Sequence, residues 1–106
     1  DVDFDLAKAT SVLPAFLNRI DTLYVTVCMD AFPASAAPGV SAPAAVGIDT
    51  AAVLNVIRWL GKYCHQHNIT WPLADIAELN PTFDKENKTA RLAARVGFEL
   101  TRAMTK

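Results

Sequence analysis

Two acidic residues, Asp30 and Glu78, stand where the chain is expected to leave its two β-strands. Asp30 ends the β-branched and aromatic run Y-V-T-V-C-M-D, and Glu78 lies near the end of L-A-D-I-A-E-L. In open parallel sheets, functional groups collect beyond the carboxyl ends of neighbouring strands. Carboxylates there suit a hard cation such as manganese or magnesium, or a planar cationic group. We predict that the two acids converge on one crevice; the alternative is that each caps a turn or pairs with a basic side chain.

The apolar pattern predicts five elements in the order helix, strand, helix, strand, helix. Their predicted bounds are residues 6–20, 23–29, 50–65 and 73–79, with the last helix running from about 85 or 87 to 104. Pro14 lies within the first helix and is expected to kink it or divide it into two pieces. Asp49 and Asp84 precede the other two helices and are predicted to cap them. Residues 31–48, rich in Pro and Ala, are predicted to form a rigid loop.

The order of the elements predicts an α/β fold. A single helix between consecutive strands implies parallel pairing through a right-handed crossover, with both strands buried in a sheet that helices sandwich. Two strands make a poor sheet, and the chain begins D-V-D-F-D without an initiating Met, so we expect a fragment or a processed product. Exposed sheet edges would favour self-association, and we expect a homo-oligomer.

Composition narrows the class of protein. The 106 residues are 52% hydrophobic and 20% charged, with a net charge of -1, which is typical of a globular interior and argues against nucleic acid as a partner. Charge or proline interrupts every long apolar stretch, so no membrane span or signal peptide is predicted, and a cytoplasmic location is expected. The two cysteines lack the spacing of a disulfide framework and are predicted to be reduced.

Five residues of types that often bind ligands are predicted to have structural roles instead. The histidines of the Cys64-His65-x-His67 group stand at the end of a predicted helix, where imidazole caps well, and the spacing matches no structural zinc pattern. Trp59 and Trp71 have no basic stripe beside them, so they are predicted to be core or interface anchors rather than a stacking platform.

Two blocks of sequence resemble the ureohydrolases, the family of arginase, agmatinase and formimidoylglutamase. The block V-T-V-C-M-D-A-F-P-A-S-A-A-P-G-V-S-A-P is similar to the family's S-x-D-x-D strand and the P-x-x-x-P-G loop that follows it. The block A-D-I-A-E-L-N-P-T-F-D, followed by T-A-R-L-A-A, is similar to its D-x-x-E-x-N-P segment and closing helix. Both occur in the family's order, and the loop is most similar to that of the formimidoylglutamases. The resemblance implies an arginase-like, three-layer α/β/α fold.

The resemblance also implies roles for individual residues. Asp30 matches a ligand of one manganese ion in a dinuclear centre, and Cys28 falls on the acid that bridges both ions. Cys28 departs from the family pattern, because a thiolate is softer than a carboxylate and offers one ligand atom instead of two. Without the resemblance, we would interpret Cys28 as a small, buried apolar residue of the strand. Glu78 matches the substrate-binding glutamate that accepts hydrogen bonds from guanidino or formimino nitrogens. Asp75 and Asn80 also match, and we interpret both as structural.

These implications lead to a hypothesis for the whole protein. Residues 1–106 are expected to be the carboxyl-terminal part of a single ureohydrolase-like domain that hydrolyses N-formimidoyl-L-glutamate to L-glutamate and formamide in histidine degradation. The family's other metal ligands lie in an upstream H and D-x-H-x-D segment that is not found here, so the chain alone is expected to be inactive. The rivals are an agmatine, arginine or other guanidino-compound hydrolase, and a noncatalytic α/β interaction module.

Overall fold

The computed structural model describes residues 6–40 and 47–105, and the predicted order of elements is confirmed. The helices and strands are α1 (Leu6–Leu17), β1 (Thr22–Cys28), α2 (Thr50–Gln66), β2 (Thr70–Ala77) and α3 (Lys88–Met104). Short 3-10 turns follow the strands, at Met29–Ala31, Pro81–Phe83 and Lys85–Asn87. No helix within the described residues is both long and apolar enough to cross a membrane.

α1 is one continuous helix, so the predicted division at Pro14 is wrong. A proline removes a single amide donor, here the one that would reach the carbonyl of Thr10. Beyond it the ladder resumes, with the Asn18 amide donating to the Pro14 carbonyl at 2.9 Å. Leu17 at the end of the helix is buried and anchors it to the core.

β1 and β2 pair in parallel, as predicted, with Cys28 opposite Ala77 at their carboxyl ends. β2 begins three residues earlier than predicted and contains Pro72. The register shifts between Thr22 and Tyr24, so that Trp71 and Pro72 together oppose one residue of β1. Proline is tolerated at such a bulge because it owes no hydrogen bond to the ladder.

The prediction that both strands are buried is wrong for one face of the sheet. α2 packs against α1 and α3, and α3 packs on β2, so that Val25, Val27 and Ile76 join a single core. On the opposite face, Tyr24 and Leu73 are 55% and 57% exposed. An apolar run predicts burial only where a second layer covers it, and the described residues form the sheet and the helix layer on one of its faces.

An ion cluster fastens α2 to α3. Glu99 of α3 is only 3% exposed and accepts hydrogen bonds from Arg58 of α2, at 3.0 Å to each carboxylate oxygen, and from Arg95 at 3.1 Å. The bond from Arg58 is the largest influence on the carboxylate, and with the bond from Arg95 it overcomes desolvation and lowers the pKa of Glu99 to about 2. Glu99 is therefore a buried carboxylate that stays ionised because both arginines compensate its lost hydration.

Candidate functional site

Both predicted acids lie at the carboxyl edge of the sheet. Cys28 and Ala77 are paired at the last positions of β1 and β2, so Asp30 and Glu78 leave the sheet at the same edge. Asp30 is half-buried in the 3-10 turn Met29–Ala31, and Glu78 is exposed. The parallel pairing thus places the two acids on one side of the molecule, and their roles as metal and substrate ligands stay predictions.

Glu78 has an unusual backbone conformation. Its φ of 69° lies in the left-handed region, which costs a residue other than glycine roughly 1–2 kcal/mol. The conformation turns the chain sharply out of β2 directly after Ala77. Strain of this kind persists only where surrounding contacts enforce it, and it is common where a side chain must be aimed at a ligand.

The loop after Asp30 supplies such a contact. The Gly39 carbonyl accepts a hydrogen bond from the Asn80 amide, two residues beyond Glu78, and the Gly39 amide donates to the Thr89 hydroxyl at 2.6 Å. A Cβ atom at Gly39 would lie 2.6 Å from the Cβ of Asp84, so only glycine fits here. We call Gly39, Asn80 and Thr89 the loop clamp. It joins the segments that follow the two strands.

Asp84 and Asn80 organise the segment between β2 and α3. The Asp84 carboxylate accepts from the backbone amides of Thr89 and Ala90 at 2.7 and 2.9 Å, so its predicted capping role is confirmed. Burial acts to raise the pKa of Asp84, but these two bonds and the Thr89 hydroxyl outweigh it and lower the pKa. The Asn80 side chain accepts from the Thr82 amide at 3.1 Å, which confirms its structural role in the turn.

The other end of the loop is closed against the start of α2. The Ile48 amide donates to the Ala31 carbonyl at 2.8 Å, and a Cβ atom at Gly47 would lie 2.6 Å from that carbonyl oxygen. Asp49 accepts from the Ala52 amide at 3.1 Å, so its predicted cap is confirmed. The chain therefore returns to the residue after Asp30 before it enters α2. Residues 41–46 of the predicted rigid loop lie outside the described residues.

Asp75 joins the strands on the exposed face of the sheet. Its carboxylate accepts hydrogen bonds from the hydroxyls of Tyr24 and Thr26, the latter at 2.7 Å. The bond from Tyr24, followed by the one from Thr26, holds the pKa of Asp75 below its ordinary value. The interpretation of Asp75 as structural is thus confirmed, because it bridges β1 and β2.

The donors at the carboxyl edge fit part of a metal centre. The Asp30 carboxylate is a hard oxygen donor that suits manganese, whereas the half-buried Cys28 thiol is a softer one. Within residues 6–40 and 47–105, no three His, Cys, Asp or Glu side chains stand together as a metal site. Asp30 and Cys28 can therefore supply only a share of the ligands that a dinuclear centre needs.

The remaining candidate residues have structural surroundings. His67 stacks on Tyr63, with 3.9 Å between ring centroids, and its Nδ1 lies 3.0 Å from the Tyr63 carbonyl at the end of α2. Trp71 is buried, which confirms its core role, and Trp59 packs against the same Tyr63 ring. No disulfide joins Cys28 to the buried Cys64.

Sequence reasoning missed the loop clamp. Pro38 and Gly39 lie in the predicted rigid loop, and nothing in the sequence indicates that the glycine backbone meets the start of α3. Thr89 lies at the start of the predicted last helix, and the apolar pattern does not indicate that it is completely buried. The tertiary partner of a loop residue leaves no periodic signal in the sequence.

Comparison with known proteins places the chain in a family. Residues 2–102 match the sequence profile of the arginase family. The formimidoylglutamase of Aromatoleum aromaticum is 45% identical over 105 residues, covering 96% of this chain and 28% of its own length. The chain thus spans less than a third of the length of the curated relatives it matches.

Solved structures agree with this placement. The structure of formimidoylglutamase from Bacillus subtilis superposes with a TM-score of 0.78 at 28% identity, over 92% of this chain and 29% of that one. The Trypanosoma cruzi formiminoglutamase, solved with Mn²⁺, superposes with a TM-score of 0.68 at 24% identity, over 92% of this chain and 33% of that one, and shows the fold alone. The α/β architecture, the two motif blocks and these matches lead to one conclusion: the chain belongs to the arginase family.

Proposed function

We propose that this chain is the carboxyl-terminal part of a metal-dependent formimidoylglutamase, a cytoplasmic enzyme of histidine degradation that hydrolyses N-formimidoyl-L-glutamate to L-glutamate and formamide. The observation that carries the proposal is the placement of Asp30 and Glu78 at the carboxyl edge of two paired parallel strands. The 45% identity to a formimidoylglutamase supports this substrate over the others of the family. The proposed roles of both acids depend on that placement.

Glu78 would bind the formimino group of the substrate. A protonated amidine is planar and cationic, and a carboxylate holds such a group through two parallel charge-assisted hydrogen bonds. The left-handed backbone at Glu78 and the loop clamp two residues later would keep the carboxylate at a fixed angle. Fixing the amidine in this way presents its carbon to the nucleophile in one orientation, which lowers the entropic part of the barrier.

Asp30, together with Cys28, would hold part of a dinuclear manganese centre. Manganese is our choice because Asp30 is an oxygen donor and because the fold-related enzyme of Trypanosoma cruzi was solved with Mn²⁺. When bound, the ions would supply Lewis-acid chemistry and make water a competent nucleophile near neutral pH. The half-buried turn at Met29–Ala31 would keep the Asp30 carboxylate in place.

Because the remaining ligands are not among these residues, we propose that the 106-residue chain is inactive alone. Activity would belong to a full-length homo-oligomer, with N-formimidoyl-L-glutamate as its small-molecule substrate and neither nucleic acid nor membrane as a partner. Turnover by the isolated chain at the rate of the full-length protein would contradict this part of the proposal.

A substrate panel tests the function. The full-length protein, loaded with Mn²⁺, is assayed with N-formimidoyl-L-glutamate for formamide release and with arginine and agmatine for urea release. We expect formamide release to dominate. Dominant urea release would instead support an arginase or agmatinase, and the absence of all three activities would support a noncatalytic interaction module.

Two matched variants test the site itself. Asp30→Ala is expected to lose bound manganese, measured by metal analysis after dialysis, and to lose activity, measured by formamide release. Asp21→Ala removes an exposed acid near the opposite end of β1 and serves as the control that keeps both. Equal manganese content in the two variants would remove Asp30 from the metal site.

A further inference from the structure

Glu78 lies in a two-residue bridge that is held at both ends. On one side, Ala77 is the last residue of β2 and is paired in the parallel ladder with β1. On the other side, the Asn80 amide donates a hydrogen bond to the Gly39 carbonyl of the loop clamp. Because only Glu78 and Leu79 lie between these two anchors, a shift of the Asn80 anchor must change their backbone dihedrals, and with them the direction of the Glu78 side chain.

The backbone conformation of Glu78 depends on both anchors. Its φ of 69° lies in the left-handed region, which is unfavourable for glutamate and persists only where surrounding contacts enforce it. The ladder sets the direction in which the chain leaves β2, and the Gly39 carbonyl sets where the Asn80 amide must lie. Release of the Gly39 peptide would therefore let Glu78 return to a more favourable conformation.

Thr89 and Asp84 in turn hold the Gly39 peptide. The Gly39 amide donates to the Thr89 hydroxyl at 2.6 Å, and the Thr89 hydroxyl donates to the Asp84 carboxylate. The second bond orients the hydroxyl, because the proton given to Asp84 leaves an oxygen lone pair for the Gly39 amide. Asp84 is itself fixed by the backbone amides of Thr89 and Ala90. The start of α3 therefore sets the position of the Gly39 peptide.

We propose that Thr89 is a positioning residue for Glu78: through the Gly39 peptide, its hydroxyl holds the Glu78 carboxylate at the angle at which it binds the amidine of the substrate. The inference rests on the proposed function, because it takes Glu78 as the substrate-binding residue. In this role Thr89 does not touch the substrate. Loss of its hydroxyl therefore impairs the binding and orientation of the amidine and leaves the metal at Asp30 in place.

Kinetics of the full-length protein loaded with Mn²⁺ test this role, at a temperature at which circular dichroism shows every variant to be folded. Thr89→Val keeps the shape of the side chain without its hydroxyl, and we expect it to lower kcat/KM about tenfold, through a higher KM as well as a lower kcat, with unchanged manganese content. Thr89→Ser keeps the hydroxyl and is expected to stay within about twofold of the parent. Thr101→Val removes an exposed hydroxyl of the same helix outside the loop clamp and is the control.

The position of Glu78 is measured separately, in crystals of the full-length parent, Thr89→Val and Thr101→Val. We expect the φ of Glu78 to leave the left-handed region in Thr89→Val and to stay there in the other two proteins. An unchanged Glu78 in Thr89→Val overturns the inference. Unchanged kcat/KM in an active enzyme, or a fall in kcat without a rise in KM, overturns it too. A displaced Glu78 in a protein whose parent hydrolyses neither N-formimidoyl-L-glutamate nor arginine nor agmatine contradicts the proposed function instead.

Discussion

Cys28 carries a sulfur atom at a position where the proposed manganese centre favours an oxygen ligand. It is the last residue of β1, two positions before Asp30, and its half-buried side chain offers sulfur where a manganese centre favours oxygen. A sulfur donor would shift the preference of the proposed centre toward softer metals such as zinc. The identity of this one side chain therefore bears on which metal the proposed full-length enzyme would bind.

Cys28→Asp is expected to tighten manganese binding by the full-length protein by about tenfold, because a hard carboxylate replaces a soft thiol and can bridge with two atoms. Manganese titration followed by electron paramagnetic resonance measures the change. Cys28→Asn is the matched control, since it has the shape of aspartate without its charge and is expected to bring no gain. Unchanged affinity in Cys28→Asp would place Cys28 outside the metal site.

At this scale the sequence predicted which acids follow the strands, but not the backbone at Glu78. The apolar runs predicted strands that end close to Asp30 and Glu78, and the single helix between them predicted the parallel pairing that brings both acids to one edge. A glutamate with a φ of 69° carries no such signal, since glutamate is not a residue that favours the left-handed region. Only the tertiary contacts of the neighbouring loop reveal why that conformation persists.

Among the elements, the loop clamp does the most to relate the two halves of the proposed site. It ties the loop that follows β1 to the start of α3, and all of its atoms come from segments outside the regular elements or at their ends. Thr89 is fully buried, so its hydroxyl cannot be replaced by water as the acceptor for the Gly39 amide.

Thr89→Val is expected to lower the free energy of unfolding by about 1–3 kcal/mol, because it preserves shape but leaves the Gly39 amide without an acceptor. Urea denaturation measures the loss. Thr101→Val is the control, since among the described residues that exposed hydroxyl bonds only to the Gly97 carbonyl of its own helix, and it is expected to cost less than about 0.5 kcal/mol. Equal losses in the two variants would show that the clamp adds no stability.

The predicted boundaries of helices and strands were wrong at two prolines, where tertiary packing overrode the local preference of the residue. Pro72 suggested that β2 begins after it, yet the strand starts at Thr70 because a bulge absorbs the missing donor. Pro14 suggested a kinked or divided helix, yet α1 is not divided there. In both cases the residue was identified correctly as a disturbance, and packing decided its consequence.

For the molecule as a whole, the parallel α/β arrangement followed from the order of elements, whereas the burial of the sheet did not. Apolar residues on both faces of β1 and β2 predicted two covering layers, and the described residues cover one. Tyr24 and Leu73 remain exposed on the other face, as expected for a chain that spans less than a third of its relatives. Sequence periodicity reports what a strand can bury, not which segment covers it.

The ion cluster predicts how the stability of the molecule depends on pH. The folded-state pKa of Glu99 is about 2, below its ordinary 4.5, so its contribution is complete above pH 4.5 and is lost as the pH falls toward 2. Glu99→Gln should therefore be less stable than the parent at neutral pH, and the difference should shrink across that interval. Urea unfolding midpoints measured through the interval give the comparison.

Glu86→Gln removes an exposed carboxylate for which the described residues show no ion pair, and it controls for the general loss of one negative charge. If the difference in stability between Glu99→Gln and the parent stayed constant down to pH 2, the arginines would not lower the pKa of Glu99. The expected decrease of this stability difference at low pH is specific to a carboxylate stabilised by Arg58 and Arg95.

The hydrogen bond between Ile48 and Ala31, with Gly47 packed against the same carbonyl, has an evolutionary consequence. It fixes both ends of the loop that begins after Asp30, so a change in loop length between Val40 and Gly47 need not move the acid or the start of α2. The entropic cost of closing a loop grows only slowly with its length. Members of the family could therefore gain or lose residues there, and so diversify what surrounds the proposed site, while the edge that carries Asp30 stays unchanged.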